Sequence, residues 1–299
     1  GYASNAYTNI GEANNRGIEM NLEWRDKTES GFEYNVGVNM STIRNRMTKL
    51  NGGTPISDGP FRNGSMYLTY TNEGMPIGAF WGYKTDGLIQ TQEQLNAVKR
   101  ADFQPNAELG DVLFVDTNGD GKLDSSDRCM IGNPIPDIIY GINMGMAWKG
   151  FDLNLQFGGT IGNQIFNAMR YYTYFPNDIT NKDRALMNYW TPNNTNTDIP
   201  RLTATDVNDN DRFSDMYVEN GTYFRLRNAQ LGYTLPASLT QRIKLQKVRF
   251  YVSGQNLFTI SSYSGMDPEV GQSSSLSRGI DYGIYPQNIS FTGGINVTF

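Results

Sequence analysis

No histidine occurs among the 299 residues. That absence excludes Ser-His and Cys-His nucleophiles and any His-ligated metal. Nothing in the sequence places two carboxylates across a cleft either, so no enzyme is expected. The single cysteine, Cys129, permits no intramolecular disulfide, leaves the redox compartment open and is expected to pack in a loop. No run of about 18 apolar residues is present, so no transmembrane helix is encoded. Barrel strands alternate and keep the average low, and the mean hydropathy of −0.51 therefore excludes helical membrane proteins alone. Charge is scarce as well: only 18% of residues are charged, below the roughly 25% of soluble domains. The net charge of −5 argues against a nucleic-acid partner, which wants a basic face. The opening residues, GYASNAYTNIG, have neither the basic start nor the apolar core of a signal peptide, which reads as a cytosolic chain or one whose beginning is missing.

What is abundant is alternation. From Asp137 to Gly159, Ile138, Tyr140, Ile142, Met144, Met146 and Trp148 fall on one side of an extended strand, with Ile139, Gly141, Asn143, Gly145 and Ala147 on the other. The period is two, so this is a strand. After Lys149-Gly150 the alternation resumes with Phe151, Leu153, Leu155 and Phe157, which makes an antiparallel hairpin. At ~3.3 Å per residue the first strand reaches ~36 Å, and a tilt of roughly 45° reduces that to ~25 Å, the height of a transmembrane barrel's apolar band. Tyr140 and Phe157 at one end and Trp148 and Phe151 at the other suit aromatic girdles at two water–lipid interfaces. A β-sandwich, with the same face packed on a second sheet, remains the alternative.

The same pattern recurs along the chain. Ile18, Met20, Leu22 and Trp24 form one strand, and Phe32, Tyr34, Val36, Val38 and Met40 the next. In YFRLRNAQLGYTLP the apolar phase changes between Leu226 and Ala229, predicting a β-bulge near Arg227-Asn228. Val248, Phe250 and Val252 mark another strand, and Ile289, Phe291, Gly293, Ile295, Val297 and Phe299 the last. Short turns alternate with long connections at about 45–136, 160–221 and 261–285, read as extracellular loops. The second of these is expected to hold a short helix capped by Asn181, with Leu186, Tyr189 and Trp190 at helical spacing before Pro192. The reading is all-β: the C-terminal portion, about seven strands, of an antiparallel up-and-down transmembrane β-barrel with long extracellular loops. Seven strands cannot close a bacterial barrel, which needs an even number of about eight or more, so the rest of the wall is expected from further polypeptide.

Several stretches resemble a known family. They are Asn15-Arg16-Gly17-Ile18-Glu19, Gly110-Asp111 followed by DTNGDGKLDSSDR and IGNPIPDIIYG, then YFRLRNAQLGYTLP, and SGQNLF with the aromatic C-terminus. In this order they resemble the SusC/RagA-type TonB-dependent outer-membrane transporters of Gram-negative bacteria. The resemblance implies a barrel of about 22 strands with an N-terminal plug, energised by the TonB complex and covered by a SusD-like lipoprotein that captures glycans or peptides. Plug, TonB box and early strands are not among these residues. Thr292, Gly294, Val297 and Phe299 also resemble the C-terminal signal that the barrel-assembly machinery recognises, by edge pairing. The rival function is a secreted β-sandwich that binds glycans.

Two sets of side chains carry chemistry. Asp116, Asn118, Asp120, Lys122, Asp124 and Asp127 stand at positions 1, 3, 5, 7, 9 and 12 of an EF-hand-type calcium loop, with Gly121 at position 6. Four carboxylates this close repel without a cation, which points to a structural Ca²⁺ against the alternative of a solvated acidic turn. Position 12 is Asp127 where a Glu is usual, and the flanks do not read as paired helices. In the long connections Trp81, Tyr83, Tyr171, Tyr172, Tyr174, Phe175 and Trp190 are candidates to stack on sugar rings or to contact a lid protein, or else to pack the loops together. Arg225 and Arg227 are expected on the lumen side, to pair with acidic residues or else to steer solute, the pairing being favoured.

Overall fold

The hairpin at 137–159 forms as read in the computed structural model, which describes residues 11–50, 52–175, 180–271 and 274–299. The signal-peptide reading falls almost wholly on residues 1–10, outside the described residues. Seven strands, β1 (Glu19–Lys27), β2 (Glu33–Thr42), β3 (Ile138–Trp148), β4 (Phe151–Ile161), β5 (Tyr223–Thr234), β6 (Lys247–Ser261) and β7 (Ser290–Thr298), make one antiparallel sheet. Each is hydrogen-bonded to its neighbours in chain order, from β1 at one edge to β7 at the other, an up-and-down meander. Among the described residues the sheet is open, with one neighbouring strand each for β1 and β7.

Registers explain why alternation produces a continuous apolar face. Opposite residues share a face, so Trp24, Val36, Met144, Leu155 and Ala229 line up across five strands, and Leu22, Val38, Ile142 and Phe157 form the parallel row beside them. The β3–β4 turn has φ of 49° at Lys149 and 87° at Gly150, the pair of left-handed residues that a two-residue hairpin matched to strand twist requires. Trp148 and Phe151 close it as a cross-strand pair. The bulge read from the phase change is present: Gln156 faces Asn228 while Phe157 faces Leu226, leaving Arg227 as the extra residue. The partner strand breaks register at the same level, where Asn256 takes a φ of 52°.

The buried core lies elsewhere. Leu22 (58%), Trp24 (63%), Val252 (60%) and Ile295 (60%) stay largely exposed on the sheet. Among the described residues, none of the three buried apolar clusters takes a side chain from the seven strands. A sandwich buries such a face under a second sheet, and among the described residues no second sheet covers this one.

The long connections carry the core instead. The first contributes a four-stranded sheet of Ile56–Phe61, Met66–Thr71, Ala79–Gly82 and Cys129–Gly132, a two-stranded pair of Thr85–Leu88 with Val112–Phe114, and helix α1 (Gln92–Arg100). The second contributes Gln164–Asn167, helix α2 (Ala168–Tyr174) and Val218–Asn220, while Ile280–Asp281 of the third pairs in parallel with Gln164–Asn167. Phe61 and Phe80 of the first connection, Phe166, Tyr171 and Tyr217 of the second and Ile280 of the third meet in one buried cluster. The first connection also starts later than read, since Arg44–Leu50 pairs with Gly11–Arg16 and prolongs the β1–β2 hairpin. The helix expected from Asn181 is a five-residue 3₁₀ turn, Arg184–Asn188, capped by Asp183, whose carboxylate accepts from the Ala185 N–H. Tyr189 and Trp190 lie beyond it.

Candidate functional site

On the polar side of the sheet, Asn143 faces Gly37 and Gln156, and Gln156 faces Asn228. Several charged groups there are paired. Arg249 donates to both carboxylate oxygens of Asp152, at 2.9 and 2.5 Å. Arg225, almost fully buried, donates to Asp267 at 2.5 Å and to Glu269 at 2.9 Å, and Arg227 donates to Glu269 at 2.9 Å. The expected pairing of both arginines with acids thus holds, and it fastens the third connection to β5. Burial pushes the Asp267 carboxyl up, but the N–H groups of Gln287 and Glu269 and the Arg225 guanidinium more than offset this and leave its pKa below the usual value.

The Asp-rich loop is a chain of side-chain-to-backbone turns. Asp116 accepts from the N–H groups of Gly119 and Gly121, at 2.7 and 2.8 Å, and its pKa is lowered, the Gly121 bond being the largest cause. Asn118 accepts from Asp120 N–H, Asp120 from Lys122 N–H, and Asp124 from Ser126 N–H. Asp127 is fully buried and accepts from Thr117 and Asp124 N–H, at 3.0 and 2.9 Å. Gly121, at position 6, has a φ of 77°, the sharp turn that an EF-hand loop needs there. Among the described residues no three acidic or thiol groups converge closely enough to share a metal. In this arrangement the carboxylates are held by backbone donors.

The loop aromatics divide into two groups. Tyr171, Phe175 and Trp190 are buried: the first two pack with Phe61 and Tyr217, and the Trp190 indole donates to Gln90 Oε1 at 2.8 Å beside Phe103 and Phe114. They hold the connections together. Tyr172 and Tyr174 are half-buried, and the Arg170 guanidinium lies 5.0 Å from the Tyr174 ring. Trp81 and Tyr83 instead line an open cleft of about 510 Å³. Trp81 stacks on Tyr70 with ring centroids 4.6 Å apart and planes at 21°, and Arg128 and Arg212 reach the same cleft. Tyr67, Tyr70, Arg128 and Arg212 were not legible as a group, because they converge from positions up to 145 residues apart, 67 to 212.

In the last strand Thr292, Gly294 and Val297 face Ser253, Tyr251 and Val248 of β6, and Phe299 is 84% exposed beyond the strand end. The outer edge of β7 carries no strand among the described residues.

No family model matches the sequence. Curated relatives do. TonB-dependent receptor P3 of Formosa agariphila is 36% identical over 99% of this chain and 30% of its own length. TonB-dependent receptor SusC of Bacteroides thetaiotaomicron is 27% identical over 97% of this chain and 27% of its own length. The chain therefore spans about a third or less of these relatives. Among solved structures, the RagAB peptide transporter superposes with a TM-score of 0.75 at 24% identity, covering 97% of this chain and 29% of that one.

Proposed function

We infer that this chain, which belongs to the SusC/RagA type of TonB-dependent receptors, forms the C-terminal part of the barrel wall of an outer-membrane nutrient importer. The observation that carries this reading is the inverted distribution of apolar groups. Seven strands present an exposed apolar face, while the buried clusters lie in the connections. An exposed patch of this extent needs another phase, and hydrocarbon supplies it without covering protein. Open edges in lipid would cost several kcal/mol per unpaired backbone group, so β1 and β7 pair with strands supplied by the remaining polypeptide, and the barrel-assembly machinery engages the edge of β7 through Thr292, Gly294, Val297 and Phe299.

In this reading the chain acts as a transporter and performs no covalent chemistry. The connections at 45–136, 160–221 and 261–285 face outward beneath a SusD-like lipoprotein, and the solute is a glycan or a peptide. Coupling to the TonB complex runs through segments outside these residues. The neighbour's description as a RagAB peptide transporter supports a two-component assembly. The Asp116–Asp127 loop takes a structural Ca²⁺, for which Asp116, Asn118, Asp120, Lys122, Asp124 and Asp127 supply oxygen donors, the ion serving only to neutralise charge and stiffen the turn. The left-handed turn at Gly121 supports this, and the ion would have to draw Asp120 and Asp124 inward from their backbone donors.

The test is fractionation of the full-length receptor that carries this segment, expressed in a Gram-negative host. Recovery in the outer-membrane fraction, with detergent required for a monodisperse preparation, is expected. A monodisperse soluble protein would defeat the reading.

A further inference from the structure

Two arginines reach the cleft beside Trp81, Arg128 without an ion-pair partner among the described residues and Arg212 paired through one nitrogen alone. Arg128 donates through Nη2 to the main-chain carbonyls of Tyr67 and Trp81, at 3.3 and 3.0 Å, and among the described residues it has no ion-pair partner. Arg212 lies over the rings of Tyr83 and Phe114, at 5.6 and 5.4 Å, and gives Nη2 to Asp209 at 3.0 Å. Its Nη1 is buried with no hydrogen-bond partner. A buried guanidinium N–H without an acceptor is costly, and a ligand oxygen would relieve that cost once the Arg212 side chain turns its Nη1 toward the cleft.

Next to these cations the Tyr70–Trp81 stack forms an aromatic wall, and Tyr67 stands 47% exposed. The volume of about 510 Å³ lies within the roughly 300–1,000 Å³ of small-molecule sites. Aromatic faces take the C–H faces of sugar rings, whereas guanidinium forks take planar acidic groups. We propose that this cleft binds an anionic saccharide, with a ring lying against Trp81 and its carboxylate or sulfate on Arg212 and Arg128. The whole chain is acidic, with a net charge of −5, so the attraction is local and belongs to these two side chains. The proposal rests on the import reading and names the class of solute that the outward connections select.

Isothermal titration of the detergent-solubilised full-length receptor tests it with four probes: trigalacturonate, its methyl ester, a sulfated disaccharide and a blocked tripeptide with a free C-terminus. The expected result is that trigalacturonate or the sulfated disaccharide binds about ten-fold or more tightly than the ester, and that affinity falls with added NaCl. Which of the two binds identifies the acidic group. Arg212→Gln and Trp81→Ala should each weaken that binding about ten-fold or more, while Arg212→Lys should retain part of it. The NaCl dependence on the unmodified receptor keeps the test decisive should a variant misfold. An ester that binds as tightly as both anionic saccharides, preference for the tripeptide, or salt-independent binding would overturn the proposal. So would silence from all four probes with a receptor that still fractionates with the outer membrane, an outcome that leaves the import reading intact. Recovery as a soluble protein would instead defeat the import reading itself.

Discussion

Met144 and Asn143 are adjacent in the chain and belong to opposite faces of β3, which makes them the sharpest test available from single side chains. Met144→Lys places an ammonium in the middle of the apolar rows and should cost ~2–4 kcal/mol, whereas Asn143→Lys on the polar face should cost little. Chemical denaturation of the full-length receptor in lipid vesicles measures both, and equal costs would mean that the faces are wrongly assigned. At the Asp-rich loop, Asp120→Ala should remove stoichiometric Ca²⁺ from the purified receptor, as read by elemental mass spectrometry; metal content that does not change would exclude this loop as the site. Arg225→Gln leaves the buried Asp267 without its cation and should destabilise the attachment of the third connection by about 3–5 kcal/mol, seen as faster proteolysis within 261–285. The same pair sets a pH dependence. The folded pKa of Asp267 is depressed, so its contribution is complete above the unfolded carboxylate value of about 3.9 and is lost as pH falls through the lower folded value. Protection factors of the amides in the third connection should therefore stay high at neutral pH and fall only in strong acid.

Among elements, β5 shows what deletion of one residue would do. Arg227 is the extra residue that brings the two halves of the strand into phase, with Leu226 and Ala229 on the same face. Deleting Arg227 should turn one half of the strand over, carrying either Ala229, Leu231 and Tyr233 or Phe224 and Leu226 to the polar side. The measurement is the amount of receptor recovered from the outer membrane, with a severe loss expected and near-normal recovery contradicting the assigned register. Strands such as β3 and β4 were legible because a two-residue period imposed by two unlike surroundings leaves a trace in every side chain. The bulge was legible for the same reason, as a break in that trace. Helix α1 carries a signal readable in sequence, since Thr91 and Gln94 form a capping box. The choice of Asp183 over Asn181 as a cap depends on the local backbone path, since both residue types cap helices equally well. The short strands of the connections, such as Ile56–Phe61 with Gly59 and Pro60 inside it, lack the length for any period to show. The candidate site followed the same division. Trp81 and Tyr83 were identifiable by type, but the burial of Tyr171 and Trp190 and the approach of Arg128 and Arg212 to the cleft depend on tertiary packing.

For the molecule as a whole, the seven-stranded sheet and the connections answer to different rules. The sheet is specified strand by strand through nearest neighbours in chain order. The connections are specified jointly, because Phe61, Phe166 and Ile280 come from three separate excursions of the chain and meet in one cluster. Transplanting a single excursion from a homologous receptor would therefore set rings shaped for one neighbour against another. Diversification of what such a receptor recognises should proceed by inheritance of the three excursions as a block, with piecemeal chimeras failing where triple ones succeed.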